Sequence, residues 1–199
     1  MCPYAPAVAV VIPGVILFPT ESRLPILSAA RRVALLVGID EYDTLPDLPL
    51  VAADVARMDE VLAGPGGFEL RRATGADAAE LRASIALATA GLGPDDLLLV
   101  YLAGHGVEVP RSVAESGSVL FLAAATEGRC DANWLSVEEI DRIGAAGGAG
   151  TRVYLADACR AVQLSDSVPG LAECLRLPSE FPAFPASPRA VFAATDAGE

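Results

Sequence analysis

The chain has 199 residues, of which 53% are hydrophobic, and a formal net charge of −12. That length suits one domain with a sizeable core, and that hydrophobic share excludes a disordered chain. The acidic balance argues against nucleic acid and against an anionic membrane surface as partners; it suits basic substrates, or solubility alone.

Residues 1–30 read as an N-terminal extension. Their apolar stretch "AVAVVIPGVILF" (7–18) is too short to span a bilayer and is interrupted by Pro13 and Gly14. The preceding "MCPYAP" lacks the positive segment of a signal peptide. An added strand, a loose arm and a misassigned start all fit.

From residue 31 onward a rhythm sets in. "RVALLVGI" (32–39) is a continuous apolar run, the pattern of a strand buried on both faces. "VAADVARMDEVLAG" (51–64) has helical spacing and stops at a Gly/Pro cluster. "FELRRA" (68–73) alternates, as a strand nearer an edge does. "DAAELRASIALATAG" (77–91) is a helix with Asp77 and Glu80 as capping box and Gly91 at its end. "LLLVYL" (97–102) is a second buried strand, and "SVLFLAA" (118–124) a short strand or hairpin arm. "SVEEIDRIG" (136–144) is a helix capped by Ser136 and Glu139, and "AAGGAG" (145–150) a loop. "TRVYLADA" (151–158) is a third buried strand, and "RAVFAAT" (189–195) a weaker fourth.

Strands alternating with helices predict an α/β fold with a mostly parallel sheet. Between the last two strands, residues 163–188 carry five of the fifteen prolines and read as an irregular linker.

In a parallel sheet, chemistry collects at the carboxyl ends of the strands. The sole histidine, His105, follows the second buried strand in "AGHG" (103–106), and Cys159 follows the third in "DACR" (157–160). Alone, a strand-end histidine is more often incidental, and a cysteine after a buried strand is more often a small core residue. Both at one sheet edge favour a Cys–His dyad, in which the imidazole activates the thiol and later protonates a leaving amine. The flanking glycines let a substrate backbone approach and offer N–H groups to an oxyanion.

The four cysteines are scattered, with no CxxC and no Cys/His cluster. No metal site and no disulfide framework is therefore expected, and a reducing, cytoplasmic compartment is favoured. Asp40, Glu41, Asp43 and Asp47 form an acidic cluster whose spacing matches no EF-hand loop, so a solvated loop is the simpler reading. "GIDEYD" after the first strand would repel phosphate, which argues against a flavodoxin-like nucleotide binder. Trp134 reads as core or interface.

The motifs "VGIDEY" (37–42), "AADV" (52–55), "AGHG" (103–106) and "DAC" (157–159), in this order, resemble the caspase-like cysteine peptidases, closest to metacaspases and paracaspases (peptidase C14). The resemblance covers roughly residues 31–199. It implies a caspase-haemoglobinase-like three-layer α/β/α fold. Residues 31–162 would be the large-subunit core, 163–188 the intersubunit linker, and 189–199 the first strand of a truncated small subunit. It implies a cysteine endopeptidase with Cys159 as nucleophile and His105 as acid–base group. The amides of Gly106 and Cys159 would form the oxyanion hole. Asp157 would bind an Arg or Lys of the substrate, with Asp54 a second candidate.

A pocket of that kind would make Arg176 the self-processing position, against the plainer alternative of an uncut surface loop. No cofactor is implied beyond the calcium that some metacaspases need. The expected partners are proteins or peptides with basic residues, and further domains of a longer chain or a partner chain. Two departures stand out: Ala103 where many metacaspases have Ser, and Arg160 where they often have His. The alternative function is a catalytically inactive caspase-like scaffold acting through protein contacts.

Overall fold

The computed structural model describes residues 29–42, 46–73, 77–109, 118–122, 134–158 and 189–193. The N-terminal apolar stretch, the proline-rich linker, Asp43, Cys159, Arg176 and the other three cysteines lie outside the described residues.

Five strands form one all-parallel sheet in the order β2-β1-β3-β7-β8: β1 (Arg32–Gly38), β2 (Glu69–Arg72), β3 (Leu97–Gly104), β7 (Thr151–Ala158) and β8 (Arg189–Ala193). The central strand β3 is buried at every position, as its unbroken apolar run requires. The charged β2 lies at an edge, where its Glu69 and Arg72 are exposed.

Helices cover both faces. α1 (Val51–Ala63) presents Val51, Val55, Met58 and Leu62, spaced by three and four, to Ala34, Leu36, Leu99 and Tyr101. α2 (Ala78–Thr89) and α3 (Val137–Ala146) cover the opposite face, where Ala78, Leu81, Ile85, Val137 and Ile140 meet Val33, Leu35, Leu98, Val100 and Tyr154. The result is the expected three-layer α/β/α sandwich. Burying each such Leu or Ile stabilises the fold by roughly 1.5–3 kcal/mol. At the end of β1, a Cβ added at Gly38 would lie 2.6 Å from Val55 Cγ2, so glycine lets α1 lie close to the sheet.

Two findings depart from the expectations. A second, antiparallel sheet, β4-β5-β6, joins β4 (Gly106–Val109), β5 (Ser118–Leu122) and β6 (Trp134–Ser136). Of these only β5 was legible, because strands of three or four residues hold too little alternation to detect. The strand β7 is not buried on both faces. Arg152, Tyr154, Ala156 and Ala158 are buried toward α2 and α3, while Val153, Leu155 and Asp157 are only half-buried. Among the described elements, α1 is the one helix on that face, and it packs over β1 and β3.

In both capping boxes the cap side chain accepts from helix amides. Asp77 accepts from the amides of Ala79 and Glu80, and Ser136 Oγ accepts from the Glu139 amide. The Glu139 carboxylate, however, pairs with Arg82 at 2.7 Å. No helix among the described residues is long and apolar enough to cross a membrane.

Candidate active site

Three segments meet at the carboxyl edge of the parallel sheet: the loop after β1, the β3–β4 junction, and the end of β7. β3 and β7 end level, with Gly104 opposite Ala158. Gly104 has φ 153°, a backbone conformation that side chains disfavour. There the chain leaves the parallel sheet, and at Gly106 it enters the antiparallel one. His105 is the single residue between them.

His105 is 8% exposed and held at two points. Its backbone N–H donates to the Tyr42 hydroxyl at 2.8 Å, and its Nε2 lies 2.8 Å from the Pro46 carbonyl oxygen. A carbonyl can only accept, so Nε2 carries the proton and Nδ1 of the neutral ring is left with its lone pair. The Tyr42 ring meets the imidazole edge to face, with centroids 4.6 Å apart. Burial pushes the Tyr42 hydroxyl up to about 12, against the opposing pull of the His105 amide and with a smaller push from Asp40.

The acidic cluster disperses. Asp47 accepts the Tyr42 N–H at 3.0 Å. Asp40 lines a separate cleft of about 310 Å³ between α1 and the ends of β1 and β2. No group of three or more His, Cys, Asp or Glu side chains placed to hold a metal ion occurs among the described residues.

Beside His105 lies a cleft of about 290 Å³ floored by Ala103 and Gly104, walled by Leu48 and Val51, and lined by both Asp54 and Asp157. Sequence reasoning singled out both carboxylates, and the fold brings them together from a helix and a strand. Asp157 Oδ2 accepts from the Tyr101 hydroxyl at 2.8 Å. Burial holds the Tyr101 hydroxyl well above its ordinary value, and the bond to Asp157 and its charge push the same way. Asp54 is not a helix cap: the N-cap is Leu50, which makes no side-chain cap bond. Its carboxylate lies 3.2 Å from the largely exposed Arg57 guanidinium, a contact of little energy.

Gly106 heads β4 and is buried beside His105, paired across the sheet with Phe121. Trp134 packs half-buried against the core, its Nε1 without a partner among the described residues. Sequence reasoning missed Tyr42, Pro46 and Tyr101 as site residues. Tyr42 stood in the quoted "VGIDEY" motif, but nothing local marks what it reaches.

A family model for the caspase domain of the peptidase C14 family matches residues 31–179, well over half of the chain. No curated protein matches. Among solved structures, the crystal structure of protein GSU0716 from Geobacter sulfurreducens is similar, with 20% identity and a TM-score of 0.47 over 65% of this chain. The chain spans 50% of that protein's length. The family model over residues 31–179 shows that the chain belongs to the caspase-domain family, peptidase C14.

Proposed function

We propose that the chain is a cysteine endopeptidase cleaving proteins after Arg or Lys. The observation that carries this reading is the cleft beside His105, lined by Asp54 and Asp157 over an otherwise apolar floor. An apolar cleft that carries two carboxylates suits the aliphatic stem and cationic head of Arg or Lys. It would reject Asp or Glu by like charge. A basic side chain seated there sets its own carbonyl beside the imidazole, because Gly104 belongs to the cleft and His105 follows it.

In this mechanism Nδ1 of His105 takes the Cys159 thiol proton while Nε2–H stays on the Pro46 carbonyl. The thiolate attacks the scissile carbonyl, and the amides of Gly106 and Cys159 hold the oxyanion. The imidazolium gives its proton to the leaving amine, and water then hydrolyses the thioester. Support for Cys159 comes from the level ends of β3 and β7: His105 and Cys159 are each the first residue past a paired end, on strands roughly 4.8 Å apart.

Incubation with a fluorogenic Arg peptide tests the reading. Turnover by the wild type, absent from Cys159→Ala, is the expected result. Failure on Arg, Lys and Asp peptides alike, with a Cys159 no more reactive than a free thiol, would overturn it.

A further inference from the structure

We infer that Tyr42 is a positioning residue for His105, and that Asp47 acts through it to hold the imidazole in its Nε2–H form. The inference rests on the reading of His105 as the acid–base group. The starting point is a backbone donor. His105 sits between β3 and β4, so its amide falls outside both ladders. A buried N–H without an acceptor is costly. The Tyr42 hydroxyl supplies that acceptor from 63 residues away. A phenylalanine would fill the same apolar space, so the hydroxyl is explained by His105 and not by the core.

Both ties on His105 come from one small loop. Tyr42 holds its backbone, and Pro46 holds its ring. Two bonds close that loop: Leu48 N–H donates to the Asp40 carbonyl at 2.7 Å, and Tyr42 N–H donates to the Asp47 carboxylate at 3.0 Å. Asp47 directly follows Pro46. Its bond therefore ties the residue gripping the histidine backbone to the peptide gripping the histidine ring. Releasing either end lets the Pro46 carbonyl leave Nε2, and the two tautomers then exchange. The phenol stays neutral until its pKa of about 12, so the hydroxyl accepts throughout the physiological range.

The chain itself makes the test direct, because His105 is its only histidine. In an untagged, full-length protein with ¹⁵N-labelled histidine, ring-nitrogen shifts report one imidazole. The wild type at a pH where the ring is neutral should show the Nε2–H tautomer. In Tyr42→Phe both nitrogens should move toward the averaged values of exchanging tautomers. Asp47→Ala should move them the same way, and Asp47→Asn, whose amide oxygen still accepts, should not. With an Arg peptide, Tyr42→Phe should lower kcat about 10- to 100-fold with KM little changed.

Unaltered tautomer shifts in folded Tyr42→Phe overturn the inference, whatever the turnover. If Tyr42→Phe does not fold, the exposed Asp47 decides, and identical spectra for Asp47→Ala and Asp47→Asn overturn it. Shifted tautomers in a chain that cleaves no peptide would uphold the positioning and refute the peptidase reading.

Discussion

The two ends of β7 treat a carboxylate in opposite ways. At its start Arg152 reaches Asp141 of α3 through two bonds, at 2.6 and 3.3 Å, and Tyr154 donates to the same carboxylate at 2.8 Å. All three residues are at most 1% exposed. Burial pulls the Arg152 guanidinium down, but the bonds to Asp141 outweigh it and leave the group above its ordinary value. At the end of the strand, Asp157 is half-buried beside a cleft and has one neutral donor, Tyr101. Among the described residues no cation pairs with it. A carboxylate that serves the fold is matched on the spot, because an unmatched charge at that depth would be ruinous. A carboxylate left short of a cation at a cleft edge is available for one that arrives with a ligand.

The largest expected effect lies at the buried end. Asp141→Ala removes the buried carboxylate that Arg152 and Tyr154 share and should cost about 3–5 kcal/mol, read from denaturant unfolding. A loss under about 1 kcal/mol would mean that water or another acceptor reaches Arg152 and that the two ends are not so different. At the open end, Asp157→Asn should leave stability within about 1 kcal/mol, since the amide can still accept from Tyr101. It should lower kcat/KM for Arg peptides about 30- to 1000-fold, or roughly 2–4 kcal/mol, while the Cys159 thiol stays reactive. Unchanged Arg turnover, or better turnover after Asp, would break the comparison at this end. The smallest effect belongs to Tyr101→Phe. Losing one neutral donor is worth about 1 kcal/mol, so KM for an Arg peptide should rise about 3- to 10-fold with kcat preserved. An unaltered KM would show that packing alone aims Asp157.

The surroundings of the two ends explain why one took a structural charge cluster and the other borders a cleft. Toward α2 and α3 the sheet is closed over Tyr154 and Arg152. Toward α1, the one helix among the described elements sits over β1 and β3, and Asp157 lies half-buried beyond it with Leu155 and Val153. The half-burial that departs from the expectation for β7 is therefore the same feature that gives the cleft its second carboxylate.

The sequence by itself determined the elements that rest on local periodicity. The unbroken runs of β1 and β3 marked strands covered on both faces, and the three-four spacing of Val51, Val55, Met58 and Leu62 marked α1. The positions of His105 and Asp157 near strand ends followed from where those runs stop. Tertiary structure alone decided the rest. That Tyr42 serves His105 across 63 residues, and Tyr101 serves Asp157 across 56, depends on strand register and loop closure. That Asp54 shares a cleft with Asp157 depends on where α1 comes to rest. That Asp47 meets the Tyr42 amide while Asp40, near it in an acidic run, lines a cleft depends on the bond that brings Leu48 back to Asp40. The physical reason is range: the pattern that makes a helix or strand is carried by residues a few positions apart, whereas a site is made by side chains that meet only after the sheet has fixed which strand lies beside which.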